Sequence, residues 1–379
     1  MTAATVGLFR ASADFPNFSM DRYAISLASA LRELKDERLA ISEVSPGPAS
    51  VASRLVGRTP VFRHWVRYPR YLLTARCTAF EVNHVLDHAY GHLVHALDAQ
   101  RTIVTCHDLF PLMHWRGAIP GLPRRRRRPV TVELSVAALR RARFVVADSD
   151  TTRRDLINVA GVSAETIHVV PPGVDASFRV LGINARQRAM AVWPIGTNST
   201  KRILCVDTGS AYKNRHATLE AFARVRARTA GDDVRLIRVG PPLAGADRAH
   251  AHRLGIETDV VELQRVPESQ MPLLYNSCDV LLFPSFYEGF GWPPLEAMSC
   301  GVPVVMSRAP ALNEIAGDVA LTANAEDYDG LAEHVSCLLE DNNEAEATRS
   351  RGLAHAQTFS WERTARTVVT LYHAILEES

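Results

Sequence analysis

Short β-branched apolar runs alternate along the chain with stretches whose apolar residues recur at helical spacing. Residues 5–9 (TVGLF) read as a first strand. Residues 19–34 carry Met20, Tyr23, Ile25, Leu27, Ala30, Leu31 and Leu34 at the intervals of one helix face. Strand-like runs follow at 101–108, 142–149 and 167–175, the last stopped by Pro171 and Pro172. A second series occupies 201–209, 234–240, 259–263, 278–285 and 302–308, with helical patterns between its members at 216–229 and 268–277. Strands that are apolar without alternation, interleaved with helices, predict parallel sheets covered on both faces.

The two series are separated by 173–200, where Gly173, Gly182, Pro194 and Gly196 read as a linker. A length of 379 residues also suits two domains. The expected architecture is α/β, two doubly wound Rossmann-like domains facing across a cleft. Ligands of such sheets bind outside the carboxyl ends of the strands. The polar strand-end residues His107, Asp108, Ser149, Asp207, Thr208 and Ser285 are therefore the first candidates for chemistry.

Composition narrows the class. Apolar residues make up 47% and charged residues 22%, as in soluble globular proteins. No apolar run approaches the roughly 18–20 residues of a membrane span, and the N-terminus has no basic start or long apolar stretch that reads as a signal peptide. Six scattered cysteines without a CxxC pair suggest reduced, buried thiols and a cytoplasmic setting. Disulfide scaffolds, zinc fingers and disordered chains are disfavoured. Lys35, Lys201 and Lys213 are the only lysines in an arginine-biased chain, which draws attention to each.

Residues 283–305, FPSFYEGFGWPPLEAMSCGVPVV, carry the most information. A strand ending at Ser285, a loop holding Gly289 and Gly291, and a helix over about 294–299 ended by Gly301 together form an anion site. Glycine lets the backbone approach closely, and free N–H groups at a helix start attract phosphate. Glu288 and Glu296 flank the loop. Glu296 in a first helical turn can serve the helix itself or bind ribose hydroxyls.

The stretch Glu288 to Glu296 resembles the E-x7-E signature of the retaining glycosyltransferases of family 4 (glycosyl transferases group 1), which have the two-domain GT-B fold. LLYNSCDVLLFPS, ADSDTTRRDL, IHVVPPGVD, VDTGSAYKNR and FSWERTARTVVTLY are similar to that family's words, in its order. The resemblance implies an N-terminal acceptor-binding domain over 1–172, a C-terminal nucleotide-sugar-binding domain over 173–360, and a helix at about 361–379 that packs back on the first. It implies that Lys213 neutralises the donor pyrophosphate, that Glu288 binds a hydroxyl of the transferred sugar and that Glu296 binds the ribose. Gly289, Phe290 and Gly291 would offer amides, Thr208 a hydroxyl, and Arg265 and Val266 base-recognising backbone. His107 would sit near the reacting carbon, making His107, Glu288 and Lys213 the catalytic group. The chain departs from the family where a second phosphate-binding arginine is usual; Asp207 and Tyr212 stand there, and Arg215 is the substitute. Phe15 to Met20 replaces the usual glycine-rich loop, so Asn17, Phe18 and Ser19, with His88, are acceptor-side candidates.

The function implied is retaining transfer of a hexosyl group from a UDP-, GDP- or dTDP-hexose to a glycan, lipid-linked or small-molecule acceptor, without cofactor or metal. The alternative is a catalytically weak sugar-nucleotide-binding protein or an epimerase of the same fold. Asp148-Ser149-Asp150 spells the DxD of metal-dependent transferases, but reads better as a helix cap at Ser149 or Asp150. His84, His88, His92 and His95 read as cleft or loop residues rather than a metal stripe. Arg124–Arg128, five arginines in a row, fits a solvated loop or helix start, or docking to anionic lipid headgroups or an anionic acceptor; without interleaved aromatics it does not suggest nucleic acid.

Overall fold

The computed structural model describes residues 3–11, 18–45, 68–78, 80–229 and 233–378. They form two compact units, one made of Met1–Arg116, Arg125–Gly173 and Ser360–Ser379, the other of Gly117–Arg124 and Val174–Phe359.

The first unit is built on six parallel strands, β1 (Ala4–Phe9), β2 (Leu39–Val44), β3 (Val82–Val85), β4 (Thr102–Cys106), β5 (Phe144–Ala147) and β6 (Ile167–Val169), in the order β2-β1-β3-β4-β5-β6. The chain lays β2 on one side of β1, then crosses over and builds outward from β3. That reversal at β1/β3 is the sheet's topological switch point. The C-terminal helix Trp361–Glu377 belongs to this unit and packs on the helix Phe18–Glu33. Its attachment is partly polar: Tyr372 Oη lies 2.7 Å from Nδ1 of the buried His84, and Thr364 donates to the Pro171 carbonyl at 2.8 Å.

The second unit holds β7 (Lys201–Val206), β8 (Val234–Val239), β9 (Val260–Leu263), β10 (Val280–Phe283), β11 (Val304–Ser307) and β12 (Leu321–Ala323), all parallel, in the order β12-β11-β10-β7-β8-β9. This is the doubly wound order with its reversal at β7/β10. The central strands β7, β10 and β11 are mostly apolar because both faces are buried. Leu204, Leu281, Phe283, Val304 and Met306 enter one core, and Ile203, Cys205, Val280, Leu282 and Val305 enter the other. The period of two that a half-exposed sheet would show is present, but both phases are apolar.

Three features depart from the sequence reading. Residues 173–200 are not a linker: they contain the helix Ala185–Val192, and Phe178, Ala189 and Ile195 are part of the second unit's core. The strands β2 and β12 were not legible, β2 because most of its residues are exposed or half-exposed and β12 because it is three residues long. The boundary is also not simple, since Gly117–Arg124 groups with the second unit. The arginine run is thereby split, Arg124 falling in one unit and Arg125–Arg128 in the other. Among the described residues, no helix is long and apolar enough to cross a membrane.

Candidate active site

The carboxyl end of β7 leads into a 3-10 turn, Ala211–Lys213, and then the helix Arg215–Arg228. Asn214, in the left-handed region at φ 53°, joins the two. Its Oδ1 caps the helix by accepting from Ala217 N at 3.2 Å, and its Nδ2 donates to the carbonyls of Pro284 at 3.0 Å and Ala325 at 2.8 Å. Phe286 N donates to the Tyr212 carbonyl at 2.8 Å. These bonds fasten the turn after β7 to the loop after β10, at the switch point where this kind of sheet binds ligands. Across that junction the Lys213 Nζ donates to Glu288 Oε1 at 2.7 Å, and both side chains are buried. Burial alone would lower the lysine pKa, but the Glu288 charge and hydrogen bond raise it above its ordinary value. The role of Asn214 is not legible in the sequence, because nothing in its neighbours reports a left-handed cap.

The loop after β10 ends at Gly291, whose φ of 119° suits glycine alone. A Cβ there would come within 2.7 Å of Leu312 Cδ2. The helix then runs Trp292–Ser299, two residues earlier than predicted, with Pro293 in its first turn. Glu296 therefore lies in the second turn rather than the first, which weakens the reading that it merely serves the helix end. It is buried, and its Oε2 accepts from Tyr275 Oη at 2.8 Å. Phe290 is buried with its ring edge-on to Phe359, so only its backbone is left for a ligand. Gly289 lies between it and Glu288. Thr208 is exposed, its hydroxyl donating to Ser210 Oγ at 3.3 Å. Arg265 is exposed and Val266 half-buried in the loop after β9, the sheet's outer strand. That strand is two places from β7.

Arg215 is held in a network. Its Nε donates to Asp207 Oδ2 at 2.5 Å and its Nη1 to Asp247 at 3.0 Å, while the fully buried Arg238 donates to the same Asp207 oxygen at 2.8 Å. Gly209, at φ 86°, gives the guanidinium room: a Cβ there would lie 2.9 Å from Arg215 Nη2. Asp207 is thus a buried anchor for two arginines. Arg238 was not visible beforehand because it sits inside the apolar run of β8.

In the first unit, His107 follows β4 and is buried with both ring nitrogens engaged. Nδ1 pairs with Asp148 Oδ2 at 2.7 Å, and Nε2 lies 2.9 Å from the Leu86 carbonyl. Burial opposes the charged ring, but Asp148 outweighs it and pushes the pKa up to about 9. The ring is therefore held as an imidazolium with both nitrogens donating inside the protein, at the carboxyl end of β4. The DxD resolves in the same way: Asp148 serves His107, and Ser149 caps the helix Asp150–Asp155 by accepting from Thr152 N at 3.0 Å. The histidines do not form one stripe. His84 lies in β3, while His88, His92 and His95 lie in the 3-10 segment His88–His95, which Asp87 caps. His88 stands just after β3, at this sheet's switch point. Ser19 is half-buried in the first turn of its helix; Asn17 and the Phe18 side chain lie outside what the structure describes.

Comparison with known proteins identifies the class. The model for glycosyl transferases group 1 matches residues 192–355, and that for glycosyltransferase family 4 matches residues 20–178. The chain belongs to this family of glycosyltransferases, and its fold is GT-B. O-antigen chain mannosyltransferase B of Escherichia coli is 45% identical over 107 residues, 28% of each chain. D-inositol 3-phosphate glycosyltransferase of Acidothermus cellulolyticus is 28% identical over 284 residues, 72% of this chain and 62% of that one. These matches span less than two thirds of the relatives' own length. Among solved structures, Anabaena HepE in complex with UDP and glucose is similar with a TM-score of 0.74 and 18% identity, covering 98% of this chain and 100% of that one.

Proposed function

We propose that this protein is a retaining, metal-independent glycosyltransferase that moves a hexosyl group from a nucleoside-diphosphate sugar to an acceptor hydroxyl. The observation that carries this reading is the Lys213–Glu288 pair at the β7/β10 switch point, beside the Gly291 loop and the buried Glu296. Lys213 takes the diphosphate, backbone amides of the loop approach sugar and phosphate, and Glu296 with Tyr275 receives the ribose. Glu288, once the lysine turns to phosphate, accepts a sugar hydroxyl. The bond from the anomeric carbon to the phosphate oxygen breaks as the acceptor oxygen bonds to the same face, and the acceptor proton passes to the departing phosphate. The protein contributes positioning and charge stabilisation. The second cation of the site is Arg215, aimed by Asp207 and Asp247. His107 holds the end of β4 in place.

The donor is the reaction's substrate, and the reading requires no further cofactor. The first unit takes the acceptor, with Ser19 and His88 as its nearest named groups, in a cytoplasmic setting where Arg124–Arg128 meets an anionic membrane face. Relatives that are mannosyltransferases make mannose the first sugar to test. Incubation with UDP-, GDP- and dTDP-hexoses, followed by detection of released nucleoside diphosphate, tests the proposal. Slow hydrolysis of one donor is expected; tight binding of a donor with no turnover under any acceptor mixture favours the non-enzymatic alternative.

A further inference from the structure

The helix Arg215–Arg228 carries His216 and Glu220 four residues apart, hence on one face. His250 reaches them from the helix Gly245–Arg253. Glu220 Oε1 lies 3.0 Å from His250 Nε2 and 3.9 Å from His216 Nε2, and one ligand atom from each residue lies within 4.8 Å of the other two. The imidazoles are stacked, centroids 4.3 Å apart and planes 22° off parallel. The buried His250 Nε2 has no hydrogen-bond partner of proper geometry despite its closeness to the carboxylate. A zinc ion with bonds of roughly 2.0–2.2 Å sets tetrahedral ligands about 3.4 Å apart, so small side-chain rotations close these three atoms on one ion.

The surroundings suit a held ion. Glu220's other oxygen is paired with Arg224, which is itself bonded to Asp329 at 3.0 Å, an outer shell that fixes the carboxylate. The His216 side chain is 54% exposed, leaving a side open for water as fourth ligand. Two nitrogens and one oxygen match zinc-class ions and not magnesium or calcium, which take oxygen sets. We propose that His216, Glu220 and His250 form a structural site for a zinc-class divalent ion that ties these two helices together, outside the donor machinery.

One neighbour competes. Arg253 Nη2 lies 3.1 Å from His250 Nδ1. A guanidinium only donates, so in the metal-free ring Nδ1 accepts and the proton sits on Nε2. Binding moves that proton to Nδ1 and turns the exposed Arg253 toward solvent.

The test is titration of the full chain, exposed thiols alkylated, with zinc alone against a chromophoric chelator, together with thermal unfolding. One equivalent bound at micromolar zinc, with a raised Tm, is expected. His216→Ala, an exposed substitution that keeps the fold, should weaken binding by about tenfold or more, as should His250→Ala. Arg253→Gln should bind more tightly than the parent. No saturable zinc at micromolar concentration, or a His216→Ala variant that binds like the parent, overturns the proposal.

Discussion

Lys213 Nζ and Glu288 Oε1 stand 2.7 Å apart, joining the end of β7 to the loop after β10 with both groups out of water. A buried pair of this kind is held by mutual satisfaction, and removing either member strands the other. On the proposed reaction the donor divides the pair without stranding anyone. The diphosphate replaces the carboxylate on Lys213, and a sugar hydroxyl replaces the ammonium on Glu288.

Lys213→Ala should lose a charge-assisted contact worth about 1.5–3 kcal/mol, which is roughly ten- to a hundredfold in kcat/KM. It should also destabilise the fold by about 3–5 kcal/mol, because Glu288 is left buried without its cation. Adding Glu288→Ala should return part of that stability and none of the activity. Steady-state kinetics and urea unfolding on the three variants check this, and parental kcat/KM in Lys213→Ala contradicts the diphosphate role.

Glu296 and Tyr275 form the other half of the donor reading. Glu296→Ala should weaken binding of the bare nucleoside diphosphate, measured by calorimetry, more than it lowers turnover at saturating donor. Tyr275→Phe removes only the hydroxyl that aims the carboxylate, so a smaller loss of about 0.5–1.5 kcal/mol is expected. Unchanged diphosphate binding in Glu296→Ala means that the carboxylate does not meet the ribose.

The second unit was the more legible in sequence, and for a physical reason. Its central strands are buried on both faces, so Ile203 to Cys205 and Val280 to Phe283 announce themselves as apolar runs, and the Glu288–Glu296 segment follows one of them directly. What was hidden depends on distance in the chain. Asp207 looked like a defect in phosphate binding until Arg238 and Arg215 were seen to share its oxygen. His107 draws attention because CHD ends a strand; only the fold brings Asp148, 41 residues away, to its ring. Phe178, Ala189 and Ile195 stand too far apart in sequence to carry a period, so 173–200 resembles a linker by its glycines and prolines alone.

The His107–Asp148 pair gives a pH signature. His107 titrates near 9 in the folded protein, above the roughly 6.5 of an unfolded histidine. A raised folded pKa contributes stability that is complete below about 6.5 and is lost as pH rises through 9. Asp148→Asn should therefore cost about 3–5 kcal/mol near neutrality, with the difference from the parent shrinking between pH 6.5 and 9. Urea unfolding of both proteins across that range measures it. A constant difference assigns Asp148 a role unrelated to the imidazolium.

Chelation separates reaction from structure. Asp148 Oδ2 is paired with His107, and Ser149 caps the helix that Asp150 begins, which favours a donor site that works without metal. Turnover should survive excess EDTA with kcat unchanged, whether or not the chelator lowers the Tm. Abolished turnover restored by manganese would return a metal to the donor site.

The last prediction concerns the arginine run. Arg124 to Arg128 are all exposed, and Arg128 is turned back onto Glu133 by two hydrogen bonds of 2.8 and 2.9 Å. Arg124 to Arg127 precede Arg128 in the same exposed run, and like charges in a row favour an anionic partner. The helix that follows, Val130–Leu139, exposes Val130 and Leu134, four residues apart on one face, so an apolar strip adjoins the basic one. Basic residues over an apolar strip suit a membrane interface, where each arginine near an anionic surface contributes about 1 kcal/mol within a Debye length of about 8 Å. Replacing Arg124 to Arg127 by serine should reduce sedimentation with phosphatidylglycerol-rich vesicles by more than tenfold at low salt, and leave donor hydrolysis unchanged. Added salt should release the parent protein in the same way. Equal sedimentation of parent and variant would make the run a solvated loop.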